Sequence, residues 1–173
     1  MRVYVPVTVA RLESLVADGE LRVAGGTAFA LTPALREAYA SGDDEELAHV
    51  AMGEAARASL RLLGAELEAA GADAEPAGVA LRRAVLAVDM DEVTLRPDLD
   101  DAVVRVGRPV LMADVAAAHV DTADAEDAVR AAVGAVDAAD LGDLDAEFLL
   151  GEVADHDLAW YAPQELGFLL ELL

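Results

Sequence analysis

The sequence predicts a mixed α/β (α+β) protein of one domain, with a small central sheet of four to five short strands packed by several helices, one of them long. Three observations carry that expectation. Two apolar, β-branched runs, Arg2–Val7 and Arg83–Asp89, have the character of strands. Apolar residues between positions 47 and 67 recur at helical spacing. A chain of 173 residues is also of the size that forms one core, burying roughly 70% of its unfolded surface.

In chain order, Arg2 to Val7 alternates as a first strand, and Thr8 can cap a helix whose apolar positions are Val9, Leu12, Leu15 and Val16. Gly25-Gly26 signals a turn, and Thr27 to Leu31 reads as a second strand. Thr32-Pro33 then supplies a cap and a first-turn proline for a helix reaching Ala40. Asp43 with Glu46 forms a capping box before the long helix, whose apolar face holds Leu47, Val50, Ala51, Ala55, Ala58, Leu62, Leu63 and Leu67. Residues 71–78, with Pro76 inside, read as a mobile loop within the single domain 1–173, because each half alone has too few strands for a stable sheet. Arg83–Asp89 is nearly continuously apolar, which places it mid-sheet. Val103–Val106 is a further strand, and Val110–His119, Thr122–Val136 and Asp143–Val153 read as helices. Leu158–Tyr161 reads as a last strand, and Pro163 opens a terminal helix with Leu166, Leu169, Leu170 and Leu173 on one face.

Composition narrows the function. The absence of cysteine excludes disulfides, thiolate zinc sites and thiol nucleophiles. The most apolar region, Ala102–Val120, is broken by Arg105, Arg108 and Asp114, so no membrane span of about 18 apolar residues is expected. The N-terminus reads as a strand rather than a leader, and a cytoplasmic location is expected. Lys, Asn and Ile are missing, as in GC-rich genomes. Against 34 acidic residues stand 12 arginines, a net charge of −22. Residues 1–88 hold 13 acids and 8 arginines, whereas residues 89–173 hold 21 acids and 4 arginines. That field, concentrated in the second half, opposes nucleic acid and anionic membranes and favours a protein partner with a basic surface.

The sharpest chemical signal is an apolar strand ending in Asp89-Met90-Asp91-Glu92. Over residues 85–93 it resembles the haloacid-dehalogenase-like phosphatases, which implies Asp89 as nucleophile, Asp91 as proton carrier, and a divalent cation held by Asp89, Asp91 and Glu92. The later Lys or Arg, the hydroxyl residue and the distal acidic pair of that family are not matched. The plain reading is a strand ending in an acidic turn without catalytic function.

Asp98-Asp100-Asp101 and Asp143-Asp145-Glu147 could converge on calcium, but they lack the glycine and terminal glutamate of the helix–loop–helix calcium loop, and they read as solvated helix starts. Of the histidines, His49 and His119 fall on helical segments. His156, between Asp155 and Asp157, is the candidate general base, although no serine stands in a nucleophile context. Trp160-Tyr161 could line a pocket, with core packing as the plain reading. Arg57 and Arg61 could clamp an anion, with intrahelical ion pairing as the default. Gly25-Gly26 lacks the rest of a phosphate-cradling loop.

Three phrases, MRVYVPVTVARLESLVADGEL, GTAFALTPALREAYASGDDEELAHVAMGEAARASLRLL and DLAWYAPQEL, carry a resemblance to a family of small uncharacterised proteins of actinobacteria. The resemblance implies an actinobacterial cytosolic protein and brings no activity, cofactor or site residue. The residues therefore point to a non-enzymatic binding or regulatory module with no cofactor. A small metal-assisted hydrolase using Asp89 and Asp91 is the alternative, and an acidic mimic of nucleic acid is a third reading, which the weakly charged first half disfavours.

Overall fold

The chain runs β1 (Arg2–Val7), α1 (Val9–Asp18), β2 (Glu20–Leu21), β3 (Thr27–Phe29), α2 (Pro33–Ala38), α3 (Asp44–Ala70), β4 (Ala84–Asp89), β5 (Val93–Leu95), β6 (Val103–Val106) and β7 (Val110–Leu111). It continues through β8 (Val115–Val120), α4 (Glu126–Ala132), α5 (Val136–Asp140), α6 (Leu144–Ala154), β9 (Ala159–Tyr161) and α7 (Leu166–Leu172). This computed structural model describes residues 1–71 and 78–173, so the core of the expected loop at residues 71–78 lies outside the described residues.

The main sheet has seven strands in the order β5-β6-β3-β1-β4-β8-β9, every neighbouring pair antiparallel, and β2 with β7 forms a separate two-stranded ribbon. The expected four to five strands are thus corrected to seven. The two additions are β5 and β8. Val110–His119, expected as helix, forms β7 and β8 instead. Its Ala116-Ala117-Ala118 run favours helix locally, but as a strand it pairs with β4 on one side and β9 on the other, closing a buried strand's open edge. Thr122–Val136 is also not one helix. A short 3-10 turn leads into α4, and the chain turns around Gly134 before α5.

Helices cover both faces of the sheet. Val3, Val5 and Val7 of β1 and Leu86 and Val88 of β4 pack with Leu12 and Leu15 of α1 and with Leu166 and Leu169 of α7. On the other face Phe29, Val85 and Val103 pack against Ala51, Ala55 and Ala56 of α3, whose small side chains let the helix lie close to the strands. This double cover explains the unbroken apolar run of β4, which carries buried residues on both sides. From Leu60 onward α3 also serves a second, all-helical core, in which Leu60 and Leu63 join Val129, Val136, Leu150 and Val153.

The caps of α1, α2 and α3 form as the residue pattern predicts. Thr8 accepts from the Arg11 amide at 3.3 Å, Thr32 from the Leu35 amide at 3.0 Å, and Asp43 with Glu46 makes the reciprocal box at 2.9 and 3.0 Å. Gly19, at φ 77°, ends α1 in the left-handed conformation that disfavours a side chain. Where β1 and β4 end side by side, Ser59 of α3 joins them: its hydroxyl donates to the Val7 carbonyl at 2.7 Å and accepts from the Ala84 amide at 3.1 Å.

Candidate functional site

Antiparallel pairing of β1 with β4 sets Arg2 opposite Asp89. The guanidinium grips that carboxylate with both arms, Nε to Oδ1 at 2.8 Å and Nη2 to Oδ2 at 3.2 Å, and this bonding holds the Asp89 carboxyl below the usual range. Asp91, in the turn that follows, accepts from Arg108 Nε at 3.2 Å and is lowered by that bond. Arg108 spends its other nitrogens on Asp114, at 2.6 and 3.1 Å. Glu92 meets the β6–β7 turn through its main chain, its carbonyl accepting from the Gly107 amide at 2.8 Å. The three carboxylates suggested by the sequence therefore share one end of the sheet, while Asp89 and Asp91 are bound by different arginines. Among the described residues no three His, Asp or Glu side chains form a group that could hold a metal ion.

The other acidic clusters separate in the same way. Asp143 caps α6, accepting from the Ala146 amide at 2.9 Å, as expected of a helix start. Asp98, Asp100 and Asp101 begin no helix, a correction to the expected reading. They lie in the β5–β6 turn, where Asp98 pairs with Arg96 at 2.6 Å and the Asp101 carbonyl accepts from the Thr32 hydroxyl. His156 follows α6 and offers its carbonyl, not its imidazole, to Arg83 Nη2 at 2.8 Å. His119 lies on β8 rather than on a helix. Burial pushes its imidazole pKa down, and the nearby charge of His49 on α3 adds to the shift. Trp160, expected to pack in the core, is 61% exposed because β9 is an edge strand and the residue points away from Tyr161.

Beside His156 lies the most deeply buried charge pair. Arg83, just before β4, donates through Nε and Nη2 to Asp121 at 2.9 and 2.8 Å, and the two side chains are 5% and 0% exposed. Arg83 also lines a cleft of about 230 Å³ between α3 and α6, walled by Val50, Leu60, Leu150 and Val153, with Glu54 and Arg57 at its mouth. Covering its flank pushes the Glu54 carboxyl up, helped by the charges of Asp100 and Asp140 and opposed by Arg57 and Arg61. Arg57 and Arg61 both bind Asp140, so these arginines pair across helices rather than within α3. Burial works against the Asp140 charge, yet the two guanidinium groups hold its carboxyl below the usual range.

On the opposite side of α6 the surface changes character. Leu141, Leu144 and Phe148 are 90%, 77% and 66% exposed. Leu144 and Phe148 stand four apart on one helix face, because α6 turns its other face, Ala146, Leu150 and Val153, into the helical core. Asp137, Asp143, Asp145, Glu147 and Glu152, all exposed, are interspersed in the chain with these apolar residues of α5 and α6.

Residues 1–170 match a family model described as a family of unknown function, DUF6912. The chain belongs to that family. No curated protein and no solved structure matches it. In this DUF6912 chain no described helix is long and apolar enough to cross a membrane.

Two features of the DUF6912 fold escape a reading by motif. The α5–α6 corner leaves one trace in the sequence: α6 carries more large apolar residues than one buried face can use. The cleft leaves none, because its walls come from α3, the start of β4 and α6, far apart in the chain.

Proposed function

We propose that this protein acts by binding rather than by catalysis, and that the α5–α6 corner is the surface on which it holds a basic, amphipathic protein segment. The observation that carries this reading is the exposure of Leu141, Leu144 and Phe148 in a stretch, residues 137–152, that also carries the exposed carboxylates Asp137, Asp143, Asp145, Glu147 and Glu152. Large apolar side chains grouped on a soluble surface mark interaction sites, and here the carboxylates add a sign to the partner. Asp145, Glu147 and Glu152 make no ion pair with any described residue, so their charge is free to attract arginine and lysine. A second copy of the chain would bring the same acids and be repelled. The apolar contacts supply the affinity, and the carboxylates supply orientation and speed of encounter.

On this reading Asp89 and Asp91 are structural carboxylates. A carboxylate that attacks phosphorus needs an oxygen free to reach it, whereas both Asp89 oxygens accept from Arg2.

The test uses a basic helical peptide with leucines at positions i, i+4 and i+7. It should bind the wild-type protein with a footprint on residues 137–152. The Leu144→Ser, Phe148→Ser double variant, altered only at exposed positions, should keep its melting temperature and bind about tenfold more weakly. The association rate should fall between about 50 and 500 mM salt, where the Debye length drops from about 14 to about 4 Å. Absence of binding, a footprint elsewhere, or indifference to the double variant overturns the docking surface. Magnesium-dependent hydrolysis of phosphate esters that disappears in Asp89→Asn would overturn the non-catalytic reading.

A further inference from the structure

We propose that the cleft between α3 and α6 is a binding site for a small aliphatic monocarboxylate, held by Arg83 at its floor and Arg57 at its mouth. The site is separate from the acidic corner, on the other side of α6. The argument starts from Arg83. Its Nε and Nη2 are committed to Asp121, and Nη2 also to the His156 carbonyl, but Nη1 has no acceptor among the described residues. No buried side-chain nitrogen or oxygen among those residues lacks a partner, so Nη1 is not fully enclosed, and we assign its opening to the cleft that Arg83 lines. A guanidinium otherwise almost wholly buried thus presents a free donor at the floor of a cavity.

Arg57 presents a second. Only its Nη2 is engaged, with Asp140 at 2.6 Å, which leaves Nε and Nη1 without acceptors among the described residues. Two guanidinium groups with spare donors on one small cavity suit a carboxylate, whose two oxygens can accept from both. The remaining walls are aliphatic, so the body of the ligand is a hydrocarbon. At about 230 Å³ the cleft is below the roughly 300 Å³ at which ordinary ligand pockets begin, which limits the body to a few carbons. Glu54 at the mouth limits the charge. A dianion would bring a second negative group against a carboxyl already crowded by Asp100 and Asp140.

The test is calorimetric titration of the whole protein with 4-methylpentanoate, beside 3-methylbutylamine, which keeps the branched tail and reverses the charge, and glutarate, which adds a second charge. The monocarboxylate should bind saturably, glutarate more weakly, and the amine not at all. Gly53 faces the cleft from ordinary helical backbone, and a Cβ added there meets nothing within 4 Å, so Gly53→Leu should fold and fill the mouth. It should weaken binding about tenfold or more. Arg57→Gln, on an accessible side chain, should weaken it by about tenfold through loss of a charged donor. No saturable binding, equal binding of the amine or of glutarate, or an affinity unchanged in either variant would overturn the proposal.

Discussion

Asp121 is the most deeply buried carboxylate among the described residues. Its Oδ2 accepts from the Arg83 amide at 2.8 Å as well as from the guanidinium, and its own carbonyl accepts from Arg82 at 3.0 Å, so one residue ties the start of β4 to the end of β8. A buried pair of this kind adds little over a well-packed apolar pair, but breaking it on one side strands a charge. Asp121→Ala should therefore cost about 3–5 kcal/mol, a large share of the roughly 5–15 kcal/mol that stabilises a domain. Arg83→Met together with Asp121→Leu should recover most of that loss. The Arg2–Asp89 pair has the same bidentate form in solvent, and Asp89→Asn should cost less than about 1 kcal/mol. Urea denaturation of the four proteins checks the order, and an Asp121→Ala variant no weaker than Asp89→Asn would contradict it.

At the scale of the element, α7 divides its leucines unequally. Leu166 and Leu169 are buried against α1 and the sheet, whereas Phe168 and Leu172 face solvent and Leu173, expected on the buried face, is partly exposed. Leu166→Ala should destabilise by about 2–5 kcal/mol, while Phe168→Ser and Leu172→Ser should each stay within about 0.5 kcal/mol of the parent in thermal or urea melts. Equal losses at Leu166 and Phe168 would mean that the helix packs by another face.

The elements that the sequence made legible are those whose signals are local. Thr8, Thr32 and Asp43 cap the helices that their neighbours suggest, and the buried run of β4 shows in its composition. β8 was illegible because alanine favours helix, and strand becomes the better choice through pairing with β4 and β9, both distant in the chain. Asp89 and Asp91 could be read as carboxylates at a strand end, but their partners Arg2 and Arg108 stand 87 and 17 residues away and no spacing reveals them.

Over the whole molecule, acids exceed arginines by 22, and among the described residues nine of the twelve arginines already sit in ion pairs. Screening by salt acts on both the pairs and the surplus. Exposed pairs contribute little, while the unneutralised carboxylates repel one another throughout the fold. The melting temperature should therefore rise as sodium chloride goes from about 20 to about 500 mM, as the Debye length shrinks. A fall over that range would show that the pairs outweigh the surplus.

The position of β1 between β3 and β4 governs the order of assembly. β1, the first of these strands in chain order, is the middle strand of the sheet, and its long pairing, Arg2 with Asp89 through Val7 with Ala84, waits for a partner as far as 87 residues further on. Before then β3 offers a much shorter contact, around Tyr4 and Phe29. Closing so large a loop places the kinetic barrier at the docking of β4, so refolding belongs in the millisecond-to-second range of nonlocal sheets rather than the microseconds of helical bundles. Until that docking, a nascent chain carries an apolar β-strand with one edge bare.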